Sequence, residues 1–323
     1  EAFPQYKTAA ICHGTGLRQV KKNSLERDYI LAHIKELDKV FCLHREQREE
    51  ISRIYGVPGE RLEVIGSGFD DSIFRYMPVQ KENGVKRLIY AGKLSEKKGV
   101  MSLLRSLTYL EQLQRKDGEQ QGQGIGQPAD PMKIEVWLAG GYGNQLEYET
   151  IKKLADQSPY PVKFLGRLDQ PQLAERMNQA DVFVLPSFYE GLPLVVIEAL
   201  ACGLQVVCTD LPGVRPWLEE NIGTCAVRFV PLPAIVNADE PVEQELPQFE
   251  RNLAEAIAES LEADGSRQGA DGSRQGPDSR PPETPGGESL AAAGPSIASP
   301  LPDLSRISWT GISKKILESC NLI

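Results

Sequence analysis

Between Lys86 and Val230 the chain repeats one unit: a short apolar run, a polar or Gly-containing turn, then a segment long enough for a helix. The runs predict strands over 87–91, 134–139, 162–165, 182–185, 206–208 and 226–230. Helices are expected at about 99–114, 145–157, 171–179, 193–202 and 214–220. Strands that are apolar on both faces and alternate with helices of this length make βαβ units, hence a doubly wound parallel sheet covered on both sides. Ligands of such sheets bind beyond the carboxyl ends of the strands. That rule directs attention to the turns that follow each apolar run.

Upstream, strands are predicted at 7–12, 40–43 and 62–65, with helices at about 25–37 and 45–55. At 323 residues two domains are the natural expectation. The division expected is 1–77, 78–300 and a returning terminal segment 301–323. Two or three parallel strands cannot cover both faces of a sheet, so further strands are expected before Lys7. The opening Glu1-Ala2-Phe3-Pro4 lacks a methionine and reads as a truncated start. With half a cleft, the chain would bind nucleotide but transfer poorly. Two polar stretches, about 115–131 and 263–299, are expected as flexible insertions. The second carries the tandem heptapeptide Ala-Asp-Gly-Ser-Arg-Gln-Gly and a Pro/Gly/Ser tract that offers almost nothing apolar to bury.

A net charge of −9 argues against a nucleic-acid binder, which needs a basic face. The six cysteines are scattered without C-x-x-C pairing and read as reduced core residues of a cytosolic protein. No run approaches a membrane span, and no signal peptide is expected.

The turn after 182–185 is the most informative. Ser187-Phe188-Tyr189-Glu190-Gly191-Leu192-Pro193-Leu194-Val195-Val196-Ile197-Glu198 continues to Ala201-Cys202-Gly203. Pro193 suits the first helical position and Gly203 the position just past the end. The free N–H groups of Leu194 and Val195, with the turn amides of Gly191 and Leu192, form a cradle for a diphosphate. Glu190 beside it can accept from sugar hydroxyls and Glu198 from a ribose diol. Taken alone, the two glutamates would be a charge favouring the helix dipole and a helix-surface residue. A second turn, Tyr90-Ala91-Gly92-Lys93-Leu94-Ser95-Glu96-Lys97-Lys98-Gly99, places Lys93 and Lys98 as point charges for phosphate. Alone, it would be a solvated loop. His13 closes the first strand before Gly14-Thr15-Gly16, a flexible turn open to close approach.

Together these segments resemble the retaining glycosyltransferases of family 4. That resemblance implies the GT-B fold, two Rossmann-like domains facing a cleft, the first incomplete here. It matches Lys98 to the lysine of the family's Gly-Arg-Leu-x-x-x-Lys-Gly loop. Lys93 stands where an arginine is usual, so bidentate phosphate binding is lost there. It places His13 opposite the donor sugar, Gly68 of Gly66-Ser67-Gly68-Phe69-Asp70 with Gly92 along the cleft, and Leu165-Gly166 against the nucleotide base. The tryptophan at 309 begins a helix returning toward the first domain. Glu190, Gly191, Leu192, Leu194, Val195 and Glu198 complete the donor site; His13, Lys93, Lys98 and Glu190 act on the reaction. The implied reaction is retaining transfer from a nucleoside-diphosphate sugar to a hydroxyl acceptor on a glycan, polysaccharide or lipid carrier. No D-x-D motif is present, so no essential metal and no other cofactor is expected; lysines and amides offset the charge. Peripheral contact with the cytoplasmic membrane face stays open, as do two other readings, a GT-B-like sugar-nucleotide epimerase and a noncatalytic nucleotide-sugar-binding protein.

Overall fold

The computed structural model describes residues 7–22, 25, 27–82, 84–121, 132–268 and 304–320. The first domain carries three parallel strands, β1 (Ala9–Ile11), β2 (Lys39–Cys42) and β3 (Leu62–Val64), in that order, connected through α1 (Gly14–Lys21), α2 (Arg27–His33) and α3 (Arg45–Tyr55). Its core is Leu17 and Val20 of α1, Val40 and Cys42 of β2, and Ile51 and Tyr55 of α3, all buried. Segment 14–16, expected as a flexible turn, is instead the first turn of α1. His13 is extended at its N-cap, the His13 carbonyl accepts the Gly16 N–H at 3.2 Å, and burial of Leu17 and Val20 holds the helix on β2.

The second domain comprises β4 (Val85–Ala91), α4 (Val100–Gln121), β5 (Lys133–Ala139), α5 (Gln145–Asp156), β6 (Val162–Gly166), α6 (Gln170–Gln179), β7 (Val182–Leu185), α7 (Leu194–Ala201), β8 (Gln205–Thr209), α8 (Val214–Asn221) and β9 (Val227–Val230). Its six strands are parallel, in the order β6-β5-β4-β7-β8-β9. The order therefore reverses between β4 and β7, and the crevice opens at their carboxyl ends. All residues of β7 and β8 are buried, as two covered faces require. A hairpin of β10 (Ile235–Val236) and β11 (Glu240–Pro241) follows, then α9 (Leu246–Gln268).

Helix α9 went unpredicted. Phe249, Leu253, Ile257 and Leu261 recur every four residues, and this stripe packs against α4, β8 and β9. Flanking glutamates lower the mean hydropathy of the segment but leave its period intact. The helix runs to Gln268, so the start of the expected 263–299 linker is helical; 269–300 lies outside the described residues. Likewise α4 continues to Gln121, which makes 115–121 helical, while 122–131 lies outside the described residues.

Helix α10 (Trp309–Ser319) closes the fold. The Trp309 N–H donates to the Phe69 carbonyl at 2.9 Å, and Ile312 packs with Phe41 and Ile65 of the first domain. Among the described residues no helix is long and apolar enough to cross a membrane. Of the cysteines, Cys42, Cys202 and Cys208 are buried as expected, but Cys225 is exposed.

Candidate functional site

Helix α7 explains why the β7 turn can hold an anion. Pro193 is its N-cap, with φ −75° and ψ 98°, rather than its first helical residue, so the axis starts at Leu194. The N–H groups of Leu194 and Val195 then point out of the helix end without intrahelical acceptors. At the other end Gly203 takes φ 83°, its N–H reaches the Leu200 carbonyl at 3.0 Å, and the Leu204 N–H reaches Ala199 at 3.1 Å. This closing pattern needs a left-handed residue, hence glycine.

The β4 turn is fixed just as tightly. The buried Tyr90 hydroxyl donates to the Lys93 carbonyl at 2.8 Å, and the Leu94 N–H donates to Gly141 at 2.8 Å. Gly99 ends the turn at φ 69°, where a Cβ would lie 1.9 Å from the Pro186 carbonyl oxygen. The Lys97 carbonyl accepts from Phe188 at 3.1 Å, which binds the β4 turn to the β7 turn.

Between these turns lies a cavity of about 450 Å³. His13, Gly92, Lys93, Lys98, Glu190, Leu192, Leu194, Val195 and Glu198, all singled out from the sequence, line it. Gly68, Leu165, Gly166 and Gly191 do not. Gly68 lies beneath the Trp309 ring, where a Cβ would meet a ring carbon at 2.7 Å. Leu165 and Gly166 end β6 two strands away, with the Gly166 carbonyl accepting the Gly140 N–H at 2.7 Å. Gly191 faces Gly14 across the domain boundary, so closely that a Cβ on Gly14 would lie 2.9 Å from the Gly191 Cα. The group that approaches the Gly14 segment is thus the Glu190–Gly191 turn itself. Sequence reasoning missed Trp309 as a cavity wall, and missed Tyr90 and Ser67. A tryptophan brought from the chain's far end carries no local signal of that placement.

The electrostatics divide the cavity. Lys98 Nζ lies 2.6 Å from Glu190 Oε1, a half-buried pair at the mouth of the helix end. Glu198 is 8% exposed, and no ion pair or side-chain hydrogen bond of its carboxylate occurs among the described residues. Burial without a compensating charge pushes its carboxyl up to about 7. An unpartnered carboxylate facing a cavity is an acceptor site waiting for donors. A second cavity, of about 180 Å³, lies on the far side of the Glu190–Gly191 turn and is lined by Lys21, His44, Glu46, Glu50 and Tyr189 among others. Glu190 lines both. His44, given no role from sequence, caps α3 through the Gln47 N–H.

Residues 75–228, which run from ahead of β4 into β9 and include both turns, match the model of the family Glycosyl transferases group 1. That match covers just under half of the chain. Similar curated proteins include the glycogen synthase of Mycobacterium tuberculosis, 25% identical over 180 residues that make up 56% of this chain and 39% of that one. AmsK, an amylovoran biosynthesis glycosyltransferase of Erwinia amylovora, is 25% identical over 232 residues, 68% of this chain and 50% of its own. The chain thus spans half or less of the length of these curated relatives. Among solved structures, HepE of Anabaena, in complex with UDP and glucose, superposes with a TM-score of 0.53 at 16% identity, covering 92% of this chain and 66% of HepE. WaaG, involved in lipopolysaccharide biosynthesis, gives 0.51 at 16% identity over 81% of this chain and 75% of its own. The fold of this chain is therefore GT-B.

Proposed function

We propose that the chain takes part in retaining transfer of a sugar from a nucleoside-diphosphate donor to a hydroxyl acceptor. One observation carries this reading: an anion cradle, a lysine and an unpartnered carboxylate converge on one cavity at the β4/β7 switch point. The diphosphate lies over the Leu194 and Val195 amides, with Lys98 and Lys93 beside it. Glu198 accepts from the ribose diol, four residues into α7. The β6 exit at Leu165 and Gly166 receives the base.

The Lys98–Glu190 contact supplies a switch on loading. A phosphate competes for Lys98, and Glu190 is freed to accept from the donor sugar's hydroxyls. As the bond to the phosphate breaks, negative charge grows on the leaving diphosphate. Preplaced cations and amides stabilise it there without reorganisation. The His13 carbonyl is committed to Gly16, which leaves its ring as the group facing the anomeric carbon. The departing phosphate takes the acceptor's proton on the face it leaves, so configuration is retained. No step calls for a metal ion. UDP-glucose is the first donor to try, since HepE is described with UDP and glucose.

The test is incubation with UDP-, GDP- and ADP-sugars and an acceptor panel, following acceptor-dependent release of nucleoside diphosphate and product configuration by proton NMR. An α-linked product from an α-linked donor supports the proposal. Inversion, or a modified free sugar formed without acceptor, sinks it.

A further inference from the structure

The hairpin β10–β11 holds a group that plays no part in the donor site. Asp239, at its tip, is fully buried, yet it lies in reach of three cations from two domains. Arg18 Nη1 of α1 is 2.9 Å from Oδ2, Lys22 at the end of α1 pairs with Oδ1, and Lys97 Nζ of the β4 turn is 3.0 Å from Oδ2. Glu240 adds weaker contacts to Lys22 at 3.5 Å and to Lys97 at 3.9 Å. The backbone is bent to deliver this carboxylate: Asn237 (φ 51°) and Ala238 (φ 74°), just before it, are the only non-glycine residues with positive φ among those described. Strain of this kind persists where surrounding contacts over-determine it, and it clusters at functional positions. Burial raises the Asp239 carboxyl, but its bonds to Lys22 and Lys97 outweigh that, and the net displacement is downward.

The three cations come from opposite sides of the cleft. Arg18 and Lys22 extend α1, whose N-cap is His13. Lys97 precedes Lys98, and its carbonyl is bonded to the β7 turn that carries Glu190. Without Asp239, three like charges would face one another across the domain boundary, an arrangement that drives the halves apart.

We propose that Asp239 is an interdomain latch, a positioning residue that clamps α1 of the first domain to the Lys97–Lys98 turn of the second and so holds the cleft closed with His13 facing Lys98. Closure then depends on one carboxylate that touches no substrate. The diphosphate, ribose and base contacts lie on the second domain, and His13 meets only the donor sugar, so opening the latch leaves UDP affinity in place while turnover falls.

The experiment compares wild type, Asp239→Asn and the paired substitution Arg18→Gln/Lys22→Gln by small-angle X-ray scattering, calorimetric UDP titration and, resting on the transferase reading above, turnover. The radius of gyration is expected to rise in both variants, UDP affinity to stay at the wild-type value, and turnover to fall about tenfold, within the usual range of intersite coupling. Asp239→Asn placed on the paired background should add little, because the groups act as one unit. Should Asp239→Asn fail to fold, the paired variant decides, since Arg18 and Lys22 are partly exposed and rehydrate freely. Unchanged scattering in the paired variant overturns the latch. So does a fall in UDP affinity parallel to a fall in melting temperature, the mark of a merely structural role. If wild type binds none of UDP, GDP and ADP, the transferase reading loses its support while scattering still decides the latch.

Discussion

Replacing Glu198 with glutamine separates the cost of burying its charge from the benefit of using it. In the folded chain the Glu198 carboxyl titrates near 7, raised from 4.5 by burial alone. At about 1.4 kcal/mol per pH unit, that rise corresponds to about 3 kcal/mol, an upper figure because the cavity admits water. The sign follows from proton binding. Below pH 4.5 the group is protonated in both folded and unfolded chains and costs nothing. Between 4.5 and about 7 the folded chain holds a proton that the unfolded chain has released, so stability falls as pH rises; above 7 the loss is complete. Glutamine has no such titration. Glu198→Gln should therefore melt level with wild type near pH 4 and several degrees higher at pH 8, at about 2–4 °C per kcal/mol for a chain this large. Calorimetry should show the opposite trend for ligand: nucleoside diphosphate binding weaker by about tenfold to a hundredfold, since a hydrogen bond to a charged group contributes about 1.5–3 kcal/mol. A stability difference that does not vary with pH, or equal nucleotide affinity in both proteins, would refute the reasoning.

Further outcomes follow from the same geometry. Lys98→Ala should reduce turnover at saturating donor more than Lys93→Ala, because only Lys98 is paired with Glu190 and half-buried at the helix end; equal full turnover in both would remove the phosphate role of this turn. Gly14→Ala places a Cβ 2.9 Å from the Gly191 Cα, backbone against backbone, and should lower turnover with little change in the stability of the second domain; a wild-type rate would show that the boundary yields freely. Gly99→Ala combines φ 69° with a clash on Pro186 and should lower the melting temperature by several degrees, which differential scanning calorimetry reads. Chelation by EDTA should leave activity intact, and loss restored by a divalent cation would contradict the assignment of charge neutralisation to lysines and amides.

The second domain was legible because each strand is apolar on both faces and each helix is bounded by turn residues, so period and punctuation agree. The β4 and β7 turns could be picked out for the same reason, since their glutamates and lysines sit where strands end. What was missed depends on contacts between distant segments. Helix α1 was hidden because Gly14-Thr15-Gly16 is locally a poor helix start, overruled by burial of Leu17 and Val20. The stripe of α9 was present in the sequence, but acidic neighbours and the adjoining heptapeptides masked it. Asp239 meets Arg18 across 221 residues, and Trp309 reaches Gly68 from the far end of the chain; no spacing rule registers such pairs.

The most direct measurement is calorimetric titration of UDP, GDP and ADP into wild type and into Lys98→Ala/Glu198→Ala. The account predicts that at least one nucleoside diphosphate binds wild type in the micromolar range and that this binding is lost in the double variant. No binding to wild type, or binding that survives both substitutions, would contradict the placement of the donor between β4 and β7.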